Sequence, residues 1–406
     1  MDLYVARQPI FNREKELYGY ELLFREGISN YFPDIDGDIA TSKVLSGSFF
    51  LHGIERLIGL GSRYAFINFT ENLLKRKVAL LFPKRFLVVE ILEDIIPDED
   101  LIEACRFIYH QGYTLALDDF IFKKELSPLI EIAEIIKFDL LQSSLDEIRP
   151  YLEQLSKYKL RFLAEKVEDY GQFREALEMG FSYFQGYFFS RPELIKGKEI
   201  PSLKLNLLQL MAEVNKEDFE IVKVEKIIKR DISLSYKLLR LINSVYFRRV
   251  QEVTSIKQAM VLIGEDKIRQ FISFIALSGI GVEKPTELIS NSIIRAKFCE
   301  LLGERIALRY ERSEYFTLGL FSLIDAIMDE EMEHILQDLP LSVDIKDALI
   351  RREGELYDIL ALVIAYERAD WKGVKDLAVK LSLSDIQLPS LYMESIKWAD
   401  SFIHYL

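Results

Sequence analysis

Seven apolar runs in the first half of the chain each end in a residue able to bind a metal or move a proton. Glu21 follows LYGY, Asn68 follows YAFI, Glu90 follows FLVV and the pair Asp118-Asp119 follows TLAL. Lys137 follows AEII, Glu165 follows RFLA and Gln185 follows FSYF. Carboxylate and amide oxygens are the ligands that hard divalent ions prefer. Two such ions can orient water and offset the charge of a phosphodiester under attack. Adjacent carboxylates such as Asp118 and Asp119 repel one another unless a cation compensates them. Taken singly, Glu21, Glu90 and Glu165 read equally well as solvated strand ends or helix caps, and Lys137 as a surface lysine. Their shared placement is what points to a site.

That placement demands a scaffold that brings the ends of many strands together. Residues 2–8, 17–24, 64–69, 86–92, 113–118, 134–138, 160–164 and 183–188 are short runs rich in Val, Ile, Leu, Phe and Tyr. Several are apolar throughout, as expected of parallel strands buried on both faces. Between them, PDEDLIEACRFIYHQG and SLDEIRPYLEQLSKY carry helical periodicity. The first opens with Pro97 and acidic residues and is followed by Gly112, a start and a stop signal. Repeated strand–helix alternation favours a closed parallel α/β barrel of the TIM type, with an open doubly wound sheet as the competitor. In such barrels the chemistry sits at the carboxyl ends of the strands.

After Pro201 the pattern changes. Segments such as LKLNLLQLMAEVN, SLSYKLLRLINSVYF, KIRQFISFIALSGIG and LPSLYMESIKWADSFIHYL place apolar residues three and four apart. The carboxyl half is therefore expected to be all-helical, with the boundary at 193–202 and domains of 1–195 and 196–406.

Composition narrows the function. The chain has 406 residues, half of them hydrophobic, enough for two buried cores. A formal charge of −13 argues against broad nucleic-acid binding, which needs clustered Lys and Arg. Cys105 and Cys299 are the only cysteines, so neither a disulfide framework nor a cysteine metal site is expected. There is no signal-like amino terminus and no uninterrupted apolar run of about 18 residues, so a cytoplasmic protein without membrane contact is expected.

The same residues resemble the EAL family of cyclic di-GMP phosphodiesterases, followed by an HDOD domain. ARQPIF and GYELLFR resemble the opening EAL strands, with ELL in place of Glu-Ala-Leu. INFT, VVEILE, ALDDF, IIKFD, LAEKVE and YFQGYFFSRP resemble the later motifs, in order. RDISLSYKLLRLINS, SIKQAMVLIG and LGLFSLIDAIM are similar to HDOD domains of combined EAL–HDOD signalling proteins of bacteria.

The resemblance implies a two-metal site for Mg²⁺ or Mn²⁺. Glu21, Asn68, Glu90 and Asp118 would hold one ion, and Asp118, Asp119 and Glu165 the second. Lys137 would lie beside the attacking water, and Gln185 would orient water or metal. Arg25 would contact a ligand phosphate and Gln8 would line the same pocket. Two departures bear on turnover. Ile121, Phe122, Lys123 and Lys124 stand where active relatives carry a glycine-rich loop after the aspartates. Lys166 replaces a glycine of the family's Ala-Glu-Gly-Val-Glu motif, where it could compete electrostatically with a metal. Both weaken the expected hold on the second ion.

The helical half carries no His-Asp dipeptide: His52, His110, His334 and His404 each precede another residue. Ser322 and Leu323 stand where hydrolytic relatives have metal-binding His and Asp. This half is expected to be a signalling output toward a protein partner, with KIIKRDISLSYKLLR and the residues around Tyr246 and Phe247 as candidate faces. Three functions remain open on sequence: a cyclic di-GMP receptor with slow or no hydrolysis relaying to the HDOD domain, an active phosphodiesterase giving pGpG, and a scaffold. A homodimer through the barrel is a further expectation.

Overall fold

A computed structural model of the protein describes residues 3–26, 58, 63–192, 202–216, 264–306, 310–337, 339–383 and 388–403. The chain divides into two compact units, the first made of Met1–Phe189 with Glu367–Ala369 and the second of Ser190–Tyr366 with Asp370–Leu406. The candidate segments KIIKRDISLSYKLLR and SVYFRRV lie outside the described residues, as do His52 and His404.

The first unit is a closed eight-stranded barrel with strands in sequence order. It opens with β1 (Leu3–Asn12) and β2 (Leu17–Glu26), then runs β3 (Tyr64–Phe69), α1 (Glu71–Lys75), β4 (Leu87–Ile91), α2 (Glu99–His110) and β5 (Thr114–Leu117). It continues α3 (Ser127–Ile130), β6 (Ile135–Asp139), α4 (Leu145–Leu155), β7 (Arg161–Val167), α5 (Tyr170–Glu178) and β8 (Tyr183–Gly186). Neighbouring strands from β2 to β8 pair in parallel. The open-sheet alternative is thereby excluded. A wholly parallel barrel is corrected too, because β1 runs antiparallel to both β2 and β8. The turn between Asn12 and Leu17 is far too short for the crossover that a parallel pair needs.

Side-chain alternation explains where the polar residues go. Ile10, Phe66, Val88, Ala116, Ile135, Leu163 and Tyr183 form one buried apolar layer inside the barrel. Asn68, Glu90, Asp118, Lys137, Glu165 and Gln185 each lie two residues after a member of that layer. With a period of two they face the same interior, one level nearer the carboxyl ends. The apolar layer is thus the floor of a polar chamber. Helix caps hold the surrounding loops: Asp98 accepts from the Leu101 amide at 2.8 Å, and Ser144 forms a capping box with Glu147.

The second unit is helical throughout its described residues. Its elements are α6 (Ser202–Val214), α7 (Glu265–Ile280), α8 (Thr286–Gly303), α9 (Arg312–Phe321), α10 (Ile324–Met328) and α11 (Met332–Leu336). These are followed by α12 (Val343–Ile350), α13 (Glu355–Glu367), α14 (Trp371–Lys380) and α15 (Leu388–Ile403). Helices α8 and α9 cross at close range through Gly319, where a Cβ would lie 2.4 Å from the Arg295 carbonyl oxygen. Beside this crossing, buried Glu300 is approached by Gln270 at 3.1 Å, Lys297 at 2.6 Å and Arg312 at 3.0 Å. Three donors satisfy that carboxylate where water cannot. Among the described residues no helix is long and apolar enough to cross a membrane.

Candidate active site

The chamber above the apolar floor is organised around Lys137, whose side chain has no solvent exposure. Its Nζ lies 2.5 Å from Glu90 Oε1, 2.7 Å from Asp118 Oδ1, 2.9 Å from Glu165 Oε1 and 3.7 Å from Glu21 Oε2. With all four carboxylates ionised, one ammonium would leave three negative charges uncompensated. Glu21 is held by Gln185, whose Nε2 donates to it at 2.6 Å and also reaches Gln8 Oε1 at 2.9 Å. Asn68 Nδ2 donates to Glu21 at 3.4 Å. Sequence expectation and geometry therefore agree on assembly: Gln8, Glu21, Asn68, Glu90, Asp118, Lys137, Glu165 and Gln185 share one chamber. Arg25 lies on β2 opposite Tyr4, and its side chain is outside the described residues.

The electrostatics of this chamber are unfavourable as it stands. Burial pushes Glu90 and Glu165 well above the usual carboxylate range, and their carboxylate neighbours add to the effect against the pull of Lys137. Burial alone would lower Lys137, but the surrounding carboxylates outweigh it and hold the ammonium above its ordinary value. Asp119 is raised by burial and then by Asp118 beside it.

Lys137 engages Glu90 through Oε1 and Asp118 through Oδ1. Glu90 Oε2, Asn68 Oδ1 and Gln185 Oε1 are buried without a hydrogen-bond partner. Orphaned oxygens and surplus negative charge are what divalent ions would relieve. Two groupings have ligand atoms mutually within 4.8 Å: Glu21, Glu90 and Asp118, and Asp118, Asp119 and Glu165. The residues present fit a metal centre, and Asp118 belongs to both groupings.

Two local devices aim these ligands. Asp118 leaves β5 with its amide bonded to the Ile91 carbonyl, and Asp119 follows in a left-handed conformation, φ 40°. The glycine-free loop that follows is anchored by aromatic rings. Phe120 packs edge-on to Phe138 at 5.8 Å, and Phe122 stacks on Tyr151 at 6.1 Å. Under it lies a cavity of about 50 Å³ bordered by Glu93, Asp118, Asp119, Ile121 and Lys123.

The second device is a bulge in β7. Ala164 pairs with Phe184 and Val167 with Gly186, so β7 carries one more residue than β8 over that interval. Lys166 takes up the excess at φ 55°. Gly186 makes the bulge possible, since a Cβ there would lie 2.2 Å from the Val167 carbonyl oxygen. The bulge also yields a contact that sequence reasoning missed: Lys166 Nζ is 2.5 Å from Asp139 Oδ2. Asp139 stands two residues after Lys137 on the same face of β6, and that spacing was the available signal.

In the helical unit, Ser322 Oγ donates to the Gly319 carbonyl at 2.7 Å and accepts from Arg295 at 3.3 Å. Leu323 is buried. His334 is exposed beside Glu330. Both metal-capable groupings found among the described residues lie in the barrel.

Comparison with known proteins covers both units. The HDOD domain family matches residues 200–339. The chain is 39% identical over 401 residues to the cyclic di-GMP phosphodiesterase CdgJ of Vibrio cholerae, spanning 98% of this chain and 92% of that one. It is 38% identical over 411 residues to the uncharacterized protein YuxH of Bacillus subtilis, spanning 99% of each. Among solved structures, an EAL domain protein of Listeria monocytogenes aligns with 47% of this chain and 88% of its own, at 23% identity and a TM-score of 0.38. The Bacillus subtilis YkuI protein, with an EAL domain, in complex with cyclic di-GMP and calcium, aligns with 64% of this chain and 73% of its own, at 21% identity and a TM-score of 0.39.

Proposed function

The chain belongs to the proteins that join an EAL barrel of the cyclic di-GMP phosphodiesterase type to an HDOD domain, and from that premise we propose that its barrel binds cyclic di-GMP and hydrolyses it to linear pGpG. The observation that carries this reading is the buried convergence of Glu21, Glu90, Asp118 and Glu165 on Lys137, with three negative charges left over. A surplus of that size in so deeply buried a chamber is costly unless cations or protons enter. The name of the relative at 39% identity, a cyclic di-GMP phosphodiesterase, supports the substrate.

Glu21, Asn68, Glu90 and Asp118 would hold one Mg²⁺ or Mn²⁺, and Asp118, Asp119 and Glu165 the other. When bound, such ions supply Lewis-acid charge at the phosphoryl oxygens and a water acidic enough to attack. The protein's own groups do the positioning. Gln185 locks Glu21 from one side while Lys137 draws Glu90, Asp118 and Glu165 inward, so the oxygens are preorganised before a ligand arrives. The Lys137 ammonium keeps its proton and would be a fixed positive charge beside the attacking water. Gln8 is hydrogen-bonded to Gln185 in the same chamber, and Arg25, by resemblance, would supply a guanidinium fork for a ligand phosphate.

The test is Mg²⁺- or Mn²⁺-dependent formation of pGpG by the full chain, with Asp118→Asn as control. Product from the wild type alone is the expected result. Equal product from Asp118→Asn would remove the site from the reaction.

A second reading, binding with little turnover, is favoured by Asp119 at φ 40° and by the glycine-free loop that follows it. Calorimetric titration with cyclic di-GMP in Ca²⁺ separates the two: micromolar binding without product in Mg²⁺ or Mn²⁺ would make the barrel a receptor. In either case the HDOD half is the output toward a protein partner.

A further inference from the structure

Asp139 and Glu165 are register partners across β6 and β7, so two carboxylates stand side by side at one level of the barrel wall. Both are buried. Each is matched by a lysine from the opposite strand. Glu165 on β7 takes Lys137 of β6 at 2.9 Å, and Asp139 on β6 takes Lys166 of β7 at 2.5 Å. The second pair exists only because of the bulge. In an unbroken strand, consecutive residues point to opposite faces, and Glu165 inside would put Lys166 outside. The left-handed turn at Lys166 brings both toward the carboxyl end.

Asp139 is committed on both oxygens. Oδ2 faces Lys166, and Oδ1 accepts the Leu141 amide at 2.7 Å. It lies beside Glu165 but outside the Asp118, Asp119 and Glu165 grouping. The Lys166 side chain is half-exposed, and its charge acts on Asp119 and Glu165 as well as on Asp139. Asp139 in turn acts on Asp119.

Resting on the metal-site reading above, we infer that Lys166 and Asp139 form a tuning pair that sets how tightly the Asp118, Asp119 and Glu165 group holds its divalent ion. Lys166 places a fixed positive charge near that ion and engages Asp139, a neighbouring carboxylate whose negative charge would otherwise strengthen the site. It is a positioning residue that acts through the carboxylates around it. Its strained backbone is tolerated because Gly186 yields room across the bulge.

The experiment is Mn²⁺ titration of the chelator-treated full chain, reading free Mn²⁺ by electron paramagnetic resonance. Wild type, Lys166→Met, Lys166→Arg, Asp139→Asn and the double variant Lys166→Met with Asp139→Asn are compared. Lys166→Met should tighten the weaker of two Mn²⁺ sites about three- to tenfold, from loss of one nearby positive charge. Lys166→Arg should match wild type. Asp139→Asn, which can still accept the Leu141 amide, should weaken that site by a similar factor, and the double variant should return near wild type. Two Mn²⁺ sites indifferent to Lys166→Met, or shifted equally by Lys166→Arg, would overturn this inference alone. No Mn²⁺ binding by wild type would overturn the metal-site reading itself.

Discussion

Lys137 and Glu90 meet at 2.5 Å, and neither side chain has any surface exposed to solvent. Such a pair is a poor source of stability, because desolvating both charges offsets their attraction. Removing one partner is another matter. Lys137→Met would leave Glu90, Asp118, Glu165 and Glu21 facing one another with no internal cation. The metal-free variant should lose about 3–5 kcal/mol of stability. Added Mn²⁺ should then raise its melting temperature more than it raises that of the wild type. Thermal unfolding in chelator and in Mn²⁺ measures both, and an equal rise in the two proteins would contradict a shared cation role.

The raised carboxylates set a pH dependence with a definite sign. Glu90 and Glu165 keep protons in the folded, metal-free state at pH values where the unfolded chain has released them. Folding then binds protons, so these groups contribute stability at low pH that is lost as pH rises above the ordinary carboxylate range. Lys137, also raised, acts only above the ordinary lysine range and does not alter this window. Metal needs the deprotonated ligands, so its binding should release protons. The stabilisation conferred by Mn²⁺ should accordingly be larger at about pH 8 than at about pH 6. Calorimetry in buffers of different ionisation enthalpy would register the released protons directly.

Much of this chamber was legible in the chain because strands alternate with period two. Phe66 and Asn68, Val88 and Glu90, and Leu163 and Glu165 each announce one inward face and its upper rim. What the alternation does not encode is direction, and the antiparallel course of β1 follows from its short turn to β2. Nor does it encode a bulge. Lys166 beside Glu165 is legible as a charge near the metal ligands, but its pairing with Asp139 follows only from the bulge that matches Val167 with Gly186. The loop after Asp119 is legible as glycine-free, but its anchoring on Tyr151 depends on a residue three elements further along.

Asp118 belongs to both metal-capable groupings, so one substitution tests both. Asp118→Asn keeps the shape of the side chain and removes one of the surplus negative charges. Hydrolysis should fall about a thousandfold, the loss expected when a bridging ligand is weakened by several kcal/mol. The melting temperature in chelator should hold or rise, because repulsion in the empty centre is relieved. Function and stability then move in opposite directions, a pattern that a merely structural aspartate would not give. A variant that loses stability and activity together would count against the assignment.

Gly186 connects the backbone to the chemistry. At φ 145°, with Val167 oxygen 2.2 Å and Val167 nitrogen 2.4 Å from any added Cβ, it cannot accept a side chain without moving β7 or β8. Those strands carry Glu165 and Gln185, so movement of either one disturbs the chamber. Gly186→Ala should cost about 2–4 kcal/mol, combining backbone strain with overpacking. Because Gln185 locks Glu21 at 2.6 Å, the displaced strand should also loosen the Glu21, Glu90 and Asp118 grouping. Mn²⁺ affinity at the tighter site should therefore fall together with the melting temperature, and chemical denaturation with Mn²⁺ titration on the same sample checks both. A Gly186→Ala protein with wild-type Mn²⁺ affinity would mean that the ligands are held by the barrel wall as a whole and not by this bulge.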